Sequence, residues 1–268
     1  MLTTHDRVVE AVADITEALR KYHLAAVFGW QDIAQRYRRS KVGAFWLSIN
    51  MAVLIAAIGI IFGTLFRSPM QDFLPYLCAG LIIWGFISTT LAESCVGLIS
   101  AEGIILQVRM PIFTHIMRLV WRNAIMFAHN IVVFPFVLLV FLHPPSWIAL
   151  LAPIGFILVA MNLLWIALIL SVICTRYRDM TQVVQNALQV VFYATPVIWK
   201  QETLPAGMVQ ELLLLNPFYH FVNVVRSPLL GIYPSTLNWA VCVMLMIVGW
   251  SVAILFFGNY RKRIAYWL

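Results

Sequence analysis

Six stretches of the chain are apolar over about the length needed to cross a lipid bilayer, and this constrains the fold more than any motif does. They run approximately from Val42 to Phe66, Phe73 to Leu91, Leu119 to Leu142, Trp147 to Ile173, Val183 to Ile198 and Leu237 to Phe257. A helix needs about 20 predominantly apolar residues to span the hydrocarbon layer. The fifth stretch is short, and it carries Gln185, Asn186 and Gln189 ahead of Pro196. Of the 268 residues, 62% are hydrophobic and 11% are charged, where a soluble domain carries roughly 25% charge. The expected fold is therefore all-α, a polytopic integral membrane protein of six transmembrane helices, and a typical water-soluble enzyme is excluded.

The net charge of +7 could point to nucleic acid, but its distribution points to topology instead. Fifteen of the 18 Lys and Arg residues fall in alternate segments: the N-terminus, the second and fourth loops with their flanks, and the C-terminus. The other side holds only Arg67, Lys200 and Arg226. Cytoplasmic loops carry the basic excess, so both termini are expected in the cytoplasm and no nucleic-acid partner is expected. The N-terminal residues show no apolar core followed by a small-residue cleavage site, so they are expected to remain in the mature protein. Two parts result: residues 1–41, a cytoplasmic N-terminus, and residues 42–268, the membrane domain.

Residues Glu17 to Tyr37 place Leu19, Tyr22, Ala26, Trp30, Ile33 and Tyr37 at helical spacing, with charges off that stripe. The pattern predicts an amphipathic helix in the cytoplasmic interface. It is either a topological anchor or a wall for a lipid-linked substrate. For the latter, Arg36, Arg38, Arg39 and Lys41 offer a phosphate-attracting cluster at headgroup depth. The second loop, Glu93 to Arg118, reads as a short helix over Gly97 to Val108 closed before Pro111, since the residue preceding proline disfavours helix. With Glu102 and Arg109 it is either a docking element or an ordinary surface loop. The fifth loop, Trp199 to Thr236, contains apolar runs split by Pro205, Pro217, Pro228 and Pro234. It is expected to fold back as re-entrant half-helices packed on protein.

Several chemistries lack their residues. There is no GxxxxGK[ST] phosphate loop, and His5, His23, His115, His129, His143 and His220 show no metal-ligand spacing. No metal site is expected. His129-Asn130 reads as an interhelical hydrogen-bond pair. Cys78, Cys95, Cys174 and Cys242 read as small buried hydrophobes. The six stretches contain no Asp or Glu, Glu93 lying just past the second, so ion coupling has no carrier there and an energy source outside the chain is implied. Trp46, Trp199, Trp239, Tyr260, Tyr266 and Trp267 fit interfacial belts. Phe62 and Phe66 with Phe192 and Tyr193 could line a conduit along which sugar rings slide on aromatic faces.

In order along the chain stand QRYRRSKVGAFWLSINMAVLIAAIGIIFGTLFR (Gln35 to Arg67), YLCAGLIIWGF (Tyr76 to Phe86), VRMP (Val108 to Pro111), RYRD (Arg176 to Asp179), TPVIW (Thr195 to Trp199) and LNPFYHFVNVVRSPLLG (Leu215 to Gly231). Together with the six-span pattern they resemble the membrane subunit of a type-2 ATP-binding-cassette (ABC) exporter, most closely the permease for O-antigen or related lipid-linked polysaccharide. The resemblance runs from about Trp30 to the C-terminus.

What it implies is a homodimer in the bacterial inner membrane, paired with two copies of a separate nucleotide-binding subunit that holds ATP and Mg. This chain would carry no cofactor and no catalytic residue. It would move an undecaprenyl-pyrophosphate-linked O-antigen from cytoplasm to periplasm. The segment around Ser100, Glu102, Gly103 and Arg109 would be the coupling helix, within residues 97–109. Spans one and five would line the channel, and residues 199–236, with Trp199, Asn216, Pro217, Phe218 and Tyr219, would form the periplasmic gate. In RYRD, Arg176 and Arg178 also fit the positive-inside bias, and Asp179 can cap the next helix. The chain departs from relatives at Met110, which is expected to change packing only, and at Glu102-Gly103, which would make the docking surface particular to its own ATPase. Export of capsule or teichoic acid, small-molecule efflux, and a channel or scaffold without ATPase are the alternatives.

Overall fold

The computed structural model describes residues 4–38, 42–43, 45–144, 146–201 and 207–268. Among the described residues all regular structure is helical: α1 (Thr4–Arg20), α2 (Tyr22–Tyr37), α3 (Phe45–Leu65), α4 (Met70–Ser100), α5 (Glu102–Gln107), α6 (Phe113–Asn130), α7 (Val133–Val140), α8 (Ala152–Arg176), α9 (Met180–Ala194), α10 (Met208–Leu214), α11 (Pro217–Leu229) and α12 (Thr236–Trp267). Among the described residues five helical stretches are long and apolar enough to cross a membrane: Phe45–Leu65, Met70–Ser100, Phe113–Val140, Trp147–Arg176 and Thr236–Trp267. The fifth of the expected spans, Val183 to Ile198, falls on α9. Its 15 residues reach about 22 Å, short of the ~30 Å hydrocarbon core. The helix stops at Ala194 because Pro196 pushes Thr195 into extended backbone (φ −102°, ψ 135°).

α4 is the hub. Apolar on all sides, it is buried along most of its length, as such a helix must be. α3, α6, α8, α9 and α11 pack around it. α8 binds α11 closely at Gly155, where a Cβ would collide with the Val224 carbonyl. The four cysteines are buried and free, as expected of small hydrophobes.

The helix ends divide into two sets. α1 lies along the last turns of α12 through Arg7–Asn259 (3.2 Å), Asp14–Arg261 (2.8 Å) and Glu10–Lys262 (2.7 Å). The Asp14 carboxylate also accepts from the Ile112 and Phe113 amides at the start of α6 (3.2 and 3.0 Å), satisfying donors that a helix N-terminus leaves open. Arg176, ending α8, sits over the Trp267 ring. On the opposite side, Gln71 at the start of α4 meets His143 after α7, Trp147 meets Tyr233, and Asn238 at the start of α12 meets His220. The ends of α1 and α12 therefore share one side, called here the terminus side.

Several expectations change. The helix read over Glu17 to Tyr37 is interrupted at Lys21 and divided between α1 and α2. Its buried positions in α2 are Ala25, Gly29 and Ile33, so of the expected stripe Ile33 is buried while Leu19, Tyr22 and Trp30 are exposed. α4 does not stop at Leu91 but runs through Glu93 to Ser100. Its 31 residues span about 46 Å, so the helix outlasts the hydrocarbon while the composition turns polar. The short helix expected over Gly97 to Val108 is accordingly split: Gly97 to Ser100 end α4, and only Glu102–Gln107 form α5. His129 does not bridge helices; its Nδ1 lies 2.8 Å from the Ile125 carbonyl of its own helix. Asp179 stands at the N-cap of α9, but its side chain makes no cap bond.

Candidate functional site

On the terminus side, α4 stays packed as far as Leu98 and breaks at the buried Ala101 into α5. None of the α5 residues is buried, and Leu106 and Val108 expose more than two fifths of their surface. Ser100, Gly103 and Arg109 are exposed and Glu102 half-buried. The Ser100 hydroxyl donates to the Gly97 carbonyl (3.0 Å), and a Cβ at Gly103 would meet open space. Glu102 and Arg109 enter no ion pair among the described residues. α5 is thus an uncovered short helix that presents apolar and charged side chains on the terminus side.

Behind it lies an ionic network that sequence reasoning missed. Arg118 of α6 grips Asp32 of α2 with Nε at 2.8 Å and with Nη2. Arg122 donates to Asp32 (3.1 Å) and to Glu93 of α4 (2.7 Å), and Asn123 donates to Glu93 (2.8 Å). Burial works against the charged form of Asp32, but the Arg118 and Arg122 guanidiniums outweigh it and hold its carboxyl below the usual aspartate value. The signal available was the pairing of Glu93 with Arg122 across neighbouring helices, which the basic-residue count absorbed as topology.

This network takes up one member of the proposed phosphate cluster: Arg36 lies 3.9 Å from Glu93. Arg38 is exposed just after α2. Arg39 and Lys41 lie outside the described residues.

On the opposite side the residues expected to form a gate lie close to one another. Asn216 accepts from the Phe218 amide (3.0 Å), capping α11 ahead of Pro217, and donates to Thr195 at the end of α9 (2.9 Å). The Trp199 indole donates to the Tyr193 carbonyl (3.1 Å), and the Tyr219 hydroxyl donates to Gln201 (2.6 Å). Phe218 packs edge-on against Trp84 of α4, with ring centroids 5.9 Å apart. α11 is largely buried, including Arg226. The Arg226 guanidinium donates to the Pro196 carbonyl and to Asn223 (both 2.6 Å) and lies 4.0 Å over the Tyr76 ring. Tyr76 donates to the Pro196 and Trp199 carbonyls (3.0 and 3.1 Å), so α4, α11 and the TPVIW turn meet at one point. Beside it opens a cavity of about 580 Å³.

The conduit aromatics are not brought together within one chain. Phe62 and Phe66 pack on one another and towards Phe73. Phe192 packs on Tyr193 and Trp84. α9 buries none of its residues. It exposes Gln182, Gln185, Asn186 and Gln189 as a polar face on an otherwise apolar bundle.

The described residues thus form a helical bundle with five candidate membrane helices, an uncovered short helix on one side and a cavity with polar lining on the other. The profile of the ABC-2 type transporter family matches residues 24–230. The chain belongs to this family. It is thus a multi-pass transport subunit whose family works with an ATPase subunit. The match begins in α2 and closes just after α11, so the ABC-2 domain takes in the ionic network, α5, the polar face of α9 and the gate junction. The chain is similar to an O-antigen export system permease protein of Myxococcus xanthus, 24% identical over 198 residues that cover 74% of this chain and 76% of the relative. It is also similar to one of Klebsiella pneumoniae, 21% identical over 245 residues covering 90% and 92%.

Proposed function

We propose that this chain is the membrane subunit of an ATP-driven exporter that carries lipid-linked O-antigen polysaccharide, of the undecaprenyl-pyrophosphate type, from cytoplasm to periplasm through a channel between two copies of itself. The observation that carries this reading is the polar face of α9. Gln182 donates to Asn186 (3.1 Å), but four amides directed at lipid keep further donors and acceptors that hydrocarbon cannot satisfy, so a face of this kind belongs against water or a second copy. Both are present if the face borders an aqueous path between protomers. The printed names of the relatives supply the cargo.

The remaining parts follow from the same geometry. α8 ends on the terminus side and α12 begins on the other, so the chain between them traverses the bundle; α9 followed by the TPVIW turn is the sixth crossing. α10 and α11 are the re-entrant gate helices, held by Asn216 and Arg226. α5 docks into one of two ATPase subunits, which bind ATP and Mg. The excess of Lys and Arg on the terminus side puts both termini in the cytoplasm of an inner-membrane protein.

Deletion of the gene followed by cell fractionation and glycan blotting tests the reading. The expected result is lipid-linked polysaccharide trapped on the cytoplasmic side and lost from the surface. An unchanged surface glycan would overturn polysaccharide export, and co-purification of an ATPase would then identify a pump for smaller cargo.

A further inference from the structure

The N-terminal helix reaches into the segment that follows α5. Asp14 of α1 is 2% exposed. Its Oδ1 accepts from the Phe113 amide (3.0 Å), and its Oδ2 accepts from the Ile112 amide (3.2 Å) and from Arg261 Nε of α12 (2.8 Å). α6 has no side-chain cap of its own at Ile112, so its cap comes from a residue 98 positions earlier in the chain. A carboxylate suits the place, because the first turn of a helix leaves amides open and favours negative charge. The chain leaves α5 at Gln107 and enters α6 at Phe113, so these two amides are where the exposed α5 segment is made fast to the bundle. Its other end is held at the buried Ala101. Between the two holds, Ile105 packs in part on a cluster that includes Ala11 and Ile15 of α1, Phe257 of α12, Leu98 of α4 and Phe113 of α6. α1 is itself fixed to α12: a Cβ at Gly258 would lie 2.7 Å from the Arg7 carbonyl, and the Arg7–Asn259 and Glu10–Lys262 bonds flank this contact. The family match at 24–230 takes in α5 but neither α1 nor α12.

We infer that Asp14 is a positioning residue for α5: by capping α6 from α1, it fixes how rigidly α5 is presented on the terminus side. α5 has six residues, too few to hold a helix by their own hydrogen bonds. A push delivered to it moves the bundle only if both ends resist. At Ala101 the resistance is the backbone of α4, and at Ile112 it is the Asp14 carboxylate. Attachment of α1 alone needs no carboxylate there, since Ala11 and Ile15 already pack it against the bundle. Burying a carboxylate costs desolvation, and what this one gains is the hold on two amides and one guanidinium. A neutral amide cannot replace it. Asn has one acceptor oxygen, so its NH2 would face a donor and leave that donor open in a buried site. The link to ATP-driven transport rests on the export reading, whereas the mechanical hold rests on the Asp14 geometry.

The test is hydrogen exchange read by mass spectrometry on the full chain in nanodiscs, together with the affinity for the ATPase subunit that co-purifies with the wild type. In the wild type, residues 108–113 should exchange more slowly than α5 itself; equal rates would overturn the hold without any variant. D14N is expected to speed exchange at 108–113 by about tenfold, the loss of one charge-assisted bond, while α4 keeps its protection. It should weaken ATPase-subunit binding by a similar factor. D14E, which restores the carboxylate, should recover part of both effects. R261Q leaves both amide bonds in place and should leave 108–113 protected. Equal acceleration in R261Q and D14N, or faster exchange throughout α4, would show that Asp14 serves only to attach α1, and the positioning role would fall. If the wild type recruits an ATPase subunit and D14N recruits it equally well, the export reading stands and the positioning role falls. If the wild type recruits none, the export reading fails, and the exchange rates alone decide the hold.

Discussion

Arg122 in α6 donates to the carboxylate of Glu93 in α4 at 2.7 Å, and both side chains are three quarters or more shielded from solvent. Their bond ties the element that leads into α5 to the element that receives α2. A pair this sheltered is worth most as a matched pair, since removing one member strands the other. Glu93→Ala is expected to destabilise the chain by about 1–3 kcal/mol, read as a lowered midpoint of thermal unfolding in detergent. Changing Glu93 and Arg122 together to Gln and Met should recover part of the loss. A single variant as stable as the wild type would show that the pair contributes nothing.

Asp32 provides the acid sensitivity of the same network. Its carboxyl titrates below the ordinary aspartate value because Arg118 and Arg122 outweigh burial. A depressed folded-state value means the contribution is complete above the ordinary value of 3.8 and is lost as pH falls through the lowered one. Hydrogen exchange in α2 should therefore be slow near neutrality and accelerate only in strong acid. Asp32→Asn should show fast exchange at every pH.

α5 separates folding from coupling. A Cβ at Gly103 meets no atom, and alanine favours helix over glycine by about 1 kcal/mol, so Gly103→Ala should leave expression and insertion unchanged. Charge reversal at the exposed ends, Glu102→Lys or Arg109→Glu, should likewise insert normally and yet release ATP turnover from transport. The check is ATPase rate against export in the assembled transporter. Normal export in both reversals would remove α5 from the docking surface.

Gly155 marks a close backbone contact between α8 and α11. Its replacement by alanine puts a methyl group against the Val224 carbonyl, and neither backbone can yield without moving α8 from α11. Overpacking of this kind costs typically about 1–3 kcal/mol. Reduced thermal stability is expected, measured as a lowered midpoint of unfolding in detergent. Gly103→Ala is the matched control.

The long apolar helices were legible because nothing but lipid rewards 20 consecutive apolar residues. The direction in which a helix faces was not. In a soluble protein the apolar stripe marks the core, but in a membrane both the lipid face and the packed face are apolar, so of the stripe Leu19, Tyr22, Ala26, Trp30, Ile33 and Tyr37 only Ile33 is buried, while Ala25 and Gly29, which also pack, lay outside it. Small residues at the contact carry that information instead. The end of α4 was hidden for a related reason: composition reports the bilayer boundary, whereas the backbone continues until Ala101. Arg226 looked like a loop charge because burial of a lone cation depends on α4 and the TPVIW turn, both distant in sequence. Asn216, Phe218 and Tyr219 do lie near the TPVIW turn, as their order along the chain suggested, while the two aromatic pairs, Phe62 with Phe66 and Phe192 with Tyr193, form separate contacts within one chain.

The channel between protomers can be tested directly on α9. If the polar face borders an aqueous path between two copies, a thiol placed on it is wet despite lying within the bundle. Gln189→Cys is expected to react rapidly with a charged, water-soluble thiol reagent, and the four native cysteines, all buried, keep the background low. Val53→Cys, on the exposed apolar face of α3, should stay unreactive because a thiol in hydrocarbon is neither ionised nor accessible to a charged reagent. In the same preparation Gln185→Cys and Gln189→Cys should form disulfide-linked dimers on mild oxidation. Equal, slow labelling at positions 53 and 189 would place α9 against lipid, and the channel between protomers would have to be drawn along another helix.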